Sequence, residues 1–327
     1  MLSKYWTITS KPLWQADPSI FELREEELSG GCIIKNHYLS MNPSLKPFLF
    51  TDIEPGQHLP GDAVGVCVQS DREDIKVGDY VVHRSGMSEY SKILDDADYE
   101  HWYKKSWIKV IPKDVDPLLY LGVCGLAGLT AYIGMKDILK LESGMTVGIS
   151  GASGTCGVLL GQMAIKHGCK VVGFTSTQEK ADWLKTLDIT PIISEGKSLE
   201  ELDKETKSIV PNGFDAYMEH VSNMHLLNAI NNMKVEGSIG LCGLMKSYTS
   251  QIAHGPNLLN IITNNVNIKG FVVGRNYKMW DEFQDYILDK YQDFIYNKKM
   301  LDGLDNVPNM YDNLYNSFGN GRLIIKI

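Results

Sequence analysis

Thr146-Val-Gly-Ile-Ser-Gly-Ala-Ser-Gly-Thr-Cys-Gly-Val-Leu-Leu-Gly161 decides the fold, with its continuation Gln162-Met-Ala-Ile-Lys-His-Gly-Cys-Lys-Val-Val-Gly-Phe174. The stretch opens on a short apolar run, Val147 to Ile149, sized for a strand buried on both faces. Glycines follow at 151, 154 and 157, and an apolar helical spacing then runs through Leu160, Met163 and Ala164. Lys170 to Phe174 supplies the next strand. Strand, glycine turn, helix and strand make a βαβ unit. Glycines let such a turn bend sharply and approach a ligand, while the helix N-terminus offers free N–H groups and a positive dipole end. The spacing is Ala152-x-Gly154-x-x-Gly157, with alanine in the first position of the usual G-x-G-x-x-G. The stretch Ala152, Ser153, Gly154, Thr155, Cys156 and Gly157 is therefore the candidate cradle for a dinucleotide pyrophosphate.

The second strand bears on which dinucleotide is bound. An NAD site usually carries Asp or Glu about 20 residues past the glycines, at the end of that strand. Here the strand ends Val172-Gly-Phe-Thr175 and continues Ser176-Thr-Gln-Glu-Lys180. No acid stands at its end; Ser176 and Thr177 offer hydroxyls and Lys180 a cation, groups suited to a 2′-phosphate. NADP(H) is the expected cofactor.

Outward from this unit, 327 residues accommodate two domains, and 43% hydrophobic with 22% charged residues is an ordinary globular balance. A net charge of −8 argues against nucleic acid or an anionic membrane as partner. Met1-Leu-Ser-Lys-Tyr-Trp6 has no signal-peptide core, and no apolar run reaches membrane-spanning length. Six cysteines, at 32, 67, 124, 156, 169 and 242, form no C-x-x-C pair and read as reduced core or turn residues, so a cytoplasmic location is expected.

Residues 1 to about 118 read as mostly β, with strands at 5–8, 21–25, 33–39, 64–69, 80–83 and 90–94. Such spacing suggests a small barrel or sandwich, with 95–105 a surface loop. From about Pro117 helix and strand alternate: helices at 129–141, 179–187 and 199–209, and strands at 192–193, 215–218, 238–242 and 267–273. That alternation implies a parallel sheet covered by helices on both faces. A helix at 280–291 and a strand at 323–327 form a tail too small to fold alone, expected to pack back on the first block. The active site is expected in the cleft between blocks, where the carboxyl ends of the parallel strands lie.

Cys32, Cys67, His37, His58, His83 and His101 in the β-rich block show no recognisable zinc-ligand spacing, so no metal is expected. No G-x-S-x-G elbow supports hydrolase chemistry. Without a metal, a nicotinamide can still deliver hydride to a C=C bond conjugated to a carbonyl, whose oxygen then needs a hydrogen-bond donor. Tyr248, in Gly240-Leu-Cys-Gly-Leu-Met-Lys-Ser-Tyr-Thr249 just past a predicted strand, is the candidate donor and catalytic residue.

The chain resembles the zinc-independent medium-chain dehydrogenases/reductases, and within them the leukotriene B dehydrogenase/prostaglandin reductase branch with its 2-alkenal double-bond reductases. Leu121-Gly-Val-Cys-Gly-Leu-Ala-Gly-Leu-Thr-Ala-Tyr-Ile-Gly134 is similar to that branch's L-G-x-x-G-x-x-G-L-T-A-Y-x-G, and Ser150 to Gly157 to its A-x-G-x-x-G turn. Phe271-Val-Val-Gly-Arg275 and Gly319-Asn-Gly-Arg-Leu-Ile-Ile-Lys326 resemble its F-V-V-x-R and terminal N-x-G-K-x-(I/V)-(I/V) motifs. The resemblance implies an α/β chain with a GroES-like β-barrel catalytic domain, 1–118 and 290–327, and a Rossmann doubly wound parallel-sheet domain, 119–289. It further implies an NADPH-dependent alkenal/one reductase that forms a homodimer. Lys180 falls on the family's 2′-phosphate lysine, Tyr248 on its cleft tyrosine, and Asn320 near a C-terminal cofactor asparagine. By the same carry-over Thr130, Cys242, Gly243, Phe271, Val272 and Val273 join the cofactor set, and Asn42, Ser44 and Arg275 the substrate pocket.

Four departures are visible, one of them a C-terminal motif that is one residue short. Asn42-Pro-Ser-Leu-Lys46 stands where the family shows D-P-Y-M-R, Glu195 where a tyrosine often flanks the 2′-phosphate, and Glu219-His-Val-Ser-Asn223 where D-N-V-G-G is usual. The expected activity is reduction of an α,β-unsaturated ketone or aldehyde. A quinone oxidoreductase of the same superfamily and a non-catalytic NADPH-binding protein are the alternatives.

Overall fold

The computed structural model describes residues 1–11, 17–46, 49, 53–93, 108–246, 258–317 and 321–327. They divide into two units: Met1–Leu126 with Lys298–Ile327, and Ala127–Asn297. Tyr248, Asn320, His101 and the 95–105 stretch lie outside the described residues.

In the first unit β1 (Leu2–Ile8) and β2 (Phe21–Glu27) form an antiparallel ribbon. The segments β3 (Cys32–Ser40), β4 (Asp62–Gln69), β5 (Tyr80–His83) and β6 (Tyr90–Ile93) fall where the sequence predicts strands, and β7 (Lys109–Val110) is a two-residue strand it did not predict. Their inward positions fill the core: Cys32, Ile34, Cys67, Ile75, Val81 and Ile93 form one buried cluster. The ribbon is tied to this sheet through Trp6 N–H to the Met87 carbonyl (2.9 Å) and Glu89 N–H to the Lys4 carbonyl (2.9 Å).

The second unit alternates as expected. After α1 (Leu126–Ile133), which passes into a π turn at Gly134–Ile138, come β8 (Thr146–Ile149), α2 (Thr155–Lys166) and β9 (Lys170–Thr175). They are followed by α3 (Gln178–Lys185), β10 (Thr190–Ile193), α4 (Leu199–Ile209), β11 (Phe214–Glu219), α5 (Met224–Asn231), β12 (Met233–Leu241), α6 (Leu258–Thr263) and β13 (Asn267–Gly270). Every pairing in this sheet is parallel, and the order is β10-β9-β8-β11-β12-β13. Numbered within the unit that is 3-2-1-4-5-6, the doubly wound order whose switch point lies between the first and fourth strands. Its core holds Phe174, Phe214, Tyr217, Ile192, Leu202 and Ile239, each 1% exposed or less. Burying a side chain of this size contributes roughly 1.5–3 kcal/mol. Ser198 and Glu201 close a capping box at the start of α4, which fixes that helix where the sequence placed it.

The strand expected over 267–273 stops at Gly270, because the chain turns into a 3₁₀ helix from Val273. The helix expected over 280–291 is α7 (Trp280–Leu288), followed by a separate 3₁₀ turn. In the tail, β14 (Lys298–Asp302), α8 (Val307–Asp312) and β15 (Arg322–Lys326) return to the first unit. There β15 runs antiparallel to β3 and parallel to β14, giving a mixed sheet ordered β14-β15-β3-β4-β5-β7 with β6 on β3. The fold class is thus α/β, a GroES-like β unit plus a Rossmann unit. Among the described residues no helix is long and apolar enough to cross a membrane.

Candidate functional site at the carboxyl edge of the parallel sheet

The glycine turn lies at the switch point. Gly151 takes φ +58°, and the Ala152 N–H bonds the Phe174 carbonyl at 3.0 Å, so the turn is pinned to β9. Ala152 is fully buried, and Gly154, exposed, is the N-cap of α2. A Cβ on Gly157 would stand 2.6 Å from the Gly151 carbonyl oxygen and 2.9 Å from the Ala152 Cα, so only glycine lets helix and strand approach this closely. Val158 N–H is bonded to the Gly154 carbonyl at 2.9 Å. The N–H groups of Thr155, Cys156 and Gly157 precede the helix's own acceptors and point out of its positive end. This cradle fits a pyrophosphate by its backbone donors and by the space a side chain would fill.

Next along the edge, Thr177 caps α3 by accepting from the Lys180 N–H at 3.3 Å, and Lys180 Nζ donates to Ser176 Oγ at 3.2 Å. Burial lowers the Lys180 pKa, with Glu179 working the other way. Glu195, exposed past the end of β10, pairs with Lys246 Nζ at 3.4 Å. The acid that would repel a 2′-phosphate therefore faces a lysine, and the sequence carried no local sign of that partner. Ser153 Oγ and Thr175 Oγ1 lie 3.1 Å apart under the turn.

On the other side of the switch point a network centres on Glu219, which is fully buried. Its Oε1 accepts from Ser150 Oγ (2.6 Å), Val221 N–H (2.6 Å) and Ser222 N–H (2.7 Å). Ser150 Oγ in turn accepts from the His220 N–H at 2.7 Å. The carboxylate thus moulds the chain after β11. The segment after β12 follows it: Cys242 and Gly243 N–H donate to the Glu219 carbonyl at 3.0 and 3.2 Å, and Met245 N–H to the His220 carbonyl at 3.0 Å. The β11–β12 register, Glu219 opposite Leu241, brings His220 and Cys242 side by side. Cys156, in the first turn of α2, completes a group whose three ligand atoms all lie within 4.8 Å of one another.

These three residues shape one another's ionisation. Cys156 hydrogen-bonds Cys242 and lowers the Cys242 pKa against its burial, and His220 lowers it further. Cys156 is pushed up by the same hydrogen bond and by burial. Burial works against the His220 imidazolium, but Cys242, the Ser150 carbonyl and Glu219 raise its pKa overall. Sequence reading took Cys156 and Cys242 separately and did not single out His220 with them.

The remaining sequence candidates are spread over both units. Phe271 N–H bonds the Leu241 carbonyl at 3.1 Å, so Phe271, Val272 and Val273 leave the same strand edge as Cys242 and Gly243. Thr130 is buried in α1, and Arg275 is exposed in the 3₁₀ helix after β13. In the first unit Ser44 is half-buried in the turn after β3. Asn42 lies in a buried network: its Nδ2 donates to Asp62 Oδ2 at 2.7 Å and its Oδ1 accepts from Arg322 Nη1 at 2.6 Å.

A 3-2-1-4-5-6 parallel sheet with a glycine turn at its switch point defines a dinucleotide-binding α/β protein. Comparison carries this further. The zinc-binding dehydrogenase family model matches residues 156–291, and a model for the N-terminal domain of oxidoreductases matches 4–101. Prostaglandin reductase 1 of Bos taurus is 30% identical, covering 99% of both chains, and the NADP(+)-dependent 2-alkenal reductase of Nicotiana tabacum is 28% identical over 94% of this chain and 90% of its own. The crystal structure of CurA in complex with NADPH from Vibrio vulnificus superposes with a TM-score of 0.86 at 21% identity, covering 99% of this chain and 98% of that one. The chain belongs to the medium-chain dehydrogenase/reductase family, in the branch of the alkenal and prostaglandin reductases.

The matched family name raises the question of zinc. Among the described residues of the first unit no group of three metal-ligating side chains converges; Cys156, His220 and Cys242 in the second unit do.

Proposed function

We propose that this protein is an NADP(H)-dependent oxidoreductase that reduces the C=C bond of α,β-unsaturated ketones or aldehydes by hydride transfer without a metal. One observation carries the reading: a glycine turn with free helix-end donors at the switch point, in a chain similar along its whole length to named alkenal and prostaglandin reductases. The 119–289 stretch holds the coenzyme and the 1–118 and 290–327 stretches complete the catalytic domain. The backbone of 152–157 receives the pyrophosphate, and Ser176, Thr177 and Lys180 the 2′-phosphate, with Lys246 offsetting Glu195. Thr130, Cys242, Gly243, Phe271, Val272, Val273 and Asn320 complete the coenzyme set. When bound, NADPH supplies the hydride. Tyr248 donates a hydrogen bond to the substrate's carbonyl oxygen as charge builds there, and Asn42, Ser44 and Arg275 border the substrate.

Six unpaired cysteines support a reducing, cytoplasmic setting. The edge strand β13, with Ile268 and the neighbouring Ile262 exposed, supports a homodimer. NADPH oxidation followed at the nicotinamide absorbance with a panel of enones and enals, set against quinones, tests the activity. Turnover of quinones alone would replace the substrate class, and coenzyme binding without turnover of either panel would remove the enzyme.

A further inference from the structure

We propose that Cys156, His220 and Cys242 form a zinc site at the carboxyl edge of the parallel sheet, and that zinc and the coenzyme exclude each other there. The exclusion rests on the coenzyme reading above; the site itself does not.

The three ligands come from separate elements. Cys156 is in the first turn of α2, and His220 and Cys242 directly follow β11 and β12. Their ligand atoms already lie within 4.8 Å of one another. Zn–S bonds of about 2.3 Å and Zn–N bonds of about 2.0–2.1 Å in a tetrahedron set neighbouring ligand atoms about 3.5–3.8 Å apart. A contraction of at most about 1.3 Å, taken up by side-chain rotation, closes the site around an ion. Two thiolates and an imidazole select a soft divalent ion such as zinc over magnesium or calcium.

His220 is oriented for this role. Its Nδ1 lies 2.9 Å from the Ser150 carbonyl oxygen, an acceptor only, so Nδ1 keeps its proton and Nε2 is the nitrogen that takes an ion, releasing any proton it holds. Nε2 is buried, and the Cys242 thiol is the polar group it faces. A histidine whose second ring nitrogen is held by a backbone carbonyl has the arrangement usual for metal ligands. Behind it, Glu219 and Ser150 fix the backbone of the loop through bonds of 2.6–2.7 Å, so only side chains need to turn when an ion arrives. Three protein ligands leave a fourth position for water.

Cys156 also belongs to the turn that receives the pyrophosphate, with Gly154 as helix cap before it and Gly157 after it. An ion on its sulfur, hydrated on its open side, takes the space of the phosphates. Zinc and coenzyme then compete, and zinc occupancy holds the protein in a coenzyme-free state until a chelator or excess NADPH displaces the ion.

The test uses the full chain, purified with a phosphine reductant and stripped of metal. Zinc is titrated against a chromophoric chelator, and cobalt is used as a second probe for its thiolate charge-transfer bands. One ion per chain is expected. Cys156→Ser, Cys242→Ser and His220→Asn are each expected to lower zinc affinity by about 100-fold or more, beyond the 10–100-fold typical of outer-shell changes. Cys32→Ser, at a buried cysteine of the first unit, should retain it. Circular dichroism of each metal-free variant separates lost ligation from lost folding. Added NADPH is expected to release the bound zinc.

Failure to take up stoichiometric zinc, or uptake equal in all three variants, overturns the site. Zinc that stays bound while NADPH binds overturns the exclusion. If the zinc-free protein does not bind NADPH at all, the coenzyme reading fails while the titration still decides the site.

Discussion

His83 in β5 and His220 after β11 each bond one ring nitrogen to a neighbour inside its unit, and they differ in the other. His83 is fully buried: Nδ1 accepts from the Ser85 N–H at 3.2 Å, so Nε2 carries the proton and donates to Asn36 Oδ1 at 2.8 Å. Asn36 passes its own donors to the Ser88 carbonyl and Ser91 Oγ, both at 2.8 Å. Nothing on that imidazole is left for a ligand. His220 is only half-buried, commits Nδ1 to Ser150, and turns its other nitrogen to the thiols of Cys242 and Cys156. The same residue type is structural in one unit and available for chemistry in the other, and what the second nitrogen faces, an amide or a pair of thiols, tells them apart.

The largest expected effect belongs to His83. His83→Ala opens a cavity and orphans both Asn36 Oδ1 and the Ser85 N–H, which should cost about 2–4 kcal/mol in urea unfolding. The pH dependence has a definite sign. Burial depresses the His83 pKa from 6.5 to about 3, so protonation favours the unfolded chain. Its contribution is complete above pH 6.5 and is lost as pH falls toward 3. Stability measured across that window should lose up to about 1.4 kcal/mol per pH unit of its slope in the variant. An unchanged slope would mean that His83 is not held neutral.

The phosphate end of the sheet comes next. Lys180→Ala removes a charge-assisted contact of about 1.5–3 kcal/mol, so KM for NADPH should rise roughly 10- to 100-fold while KM for NADH stays near its original value. Equal shifts for both coenzymes would take Lys180 out of the 2′-phosphate site. Below it stands Tyr248→Phe, expected to lower kcat about tenfold with a smaller change in KM. An unchanged kcat would return that tyrosine to packing.

These predictions differ in how far sequence alone could carry them. Ser176, Thr177 and Lys180 are neighbours in the chain, and a strand end followed by a helix start already places them together. The glycine turn is legible for the same reason, as is α4 with its Ser198–Glu201 box. The cluster of Cys156, His220 and Cys242 depends on the β11–β12 register and on where α2 starts against them, which no local pattern encodes. Helix α5 escaped notice because its buried face carries Asn228, whose Nδ2 is satisfied at 2.7 Å by Asp203 on α4. Strand β14 shows no alternation, with four of its five residues exposed, and exists because β15 offers it a partner.

The smallest effect is also the sharpest test of the contrast. His220→Asn should cost only about 0.5–1.5 kcal/mol in the metal-free protein, because a single hydrogen bond to the Ser150 carbonyl is at stake and an amide can donate in its place. The backbone of the loop stays where it is, since Glu219 and Ser150 hold it through the main-chain N–H groups of 220, 221 and 222 and not through the imidazole. Paired unfolding curves of His83→Ala and His220→Asn in chelator measure the difference directly. Equal losses would show that His220 is as deeply structural as His83, and the meaning assigned to its thiol-facing Nε2 would go with them. A small loss at 220, together with a large one at 83, leaves that nitrogen free to serve a ligand.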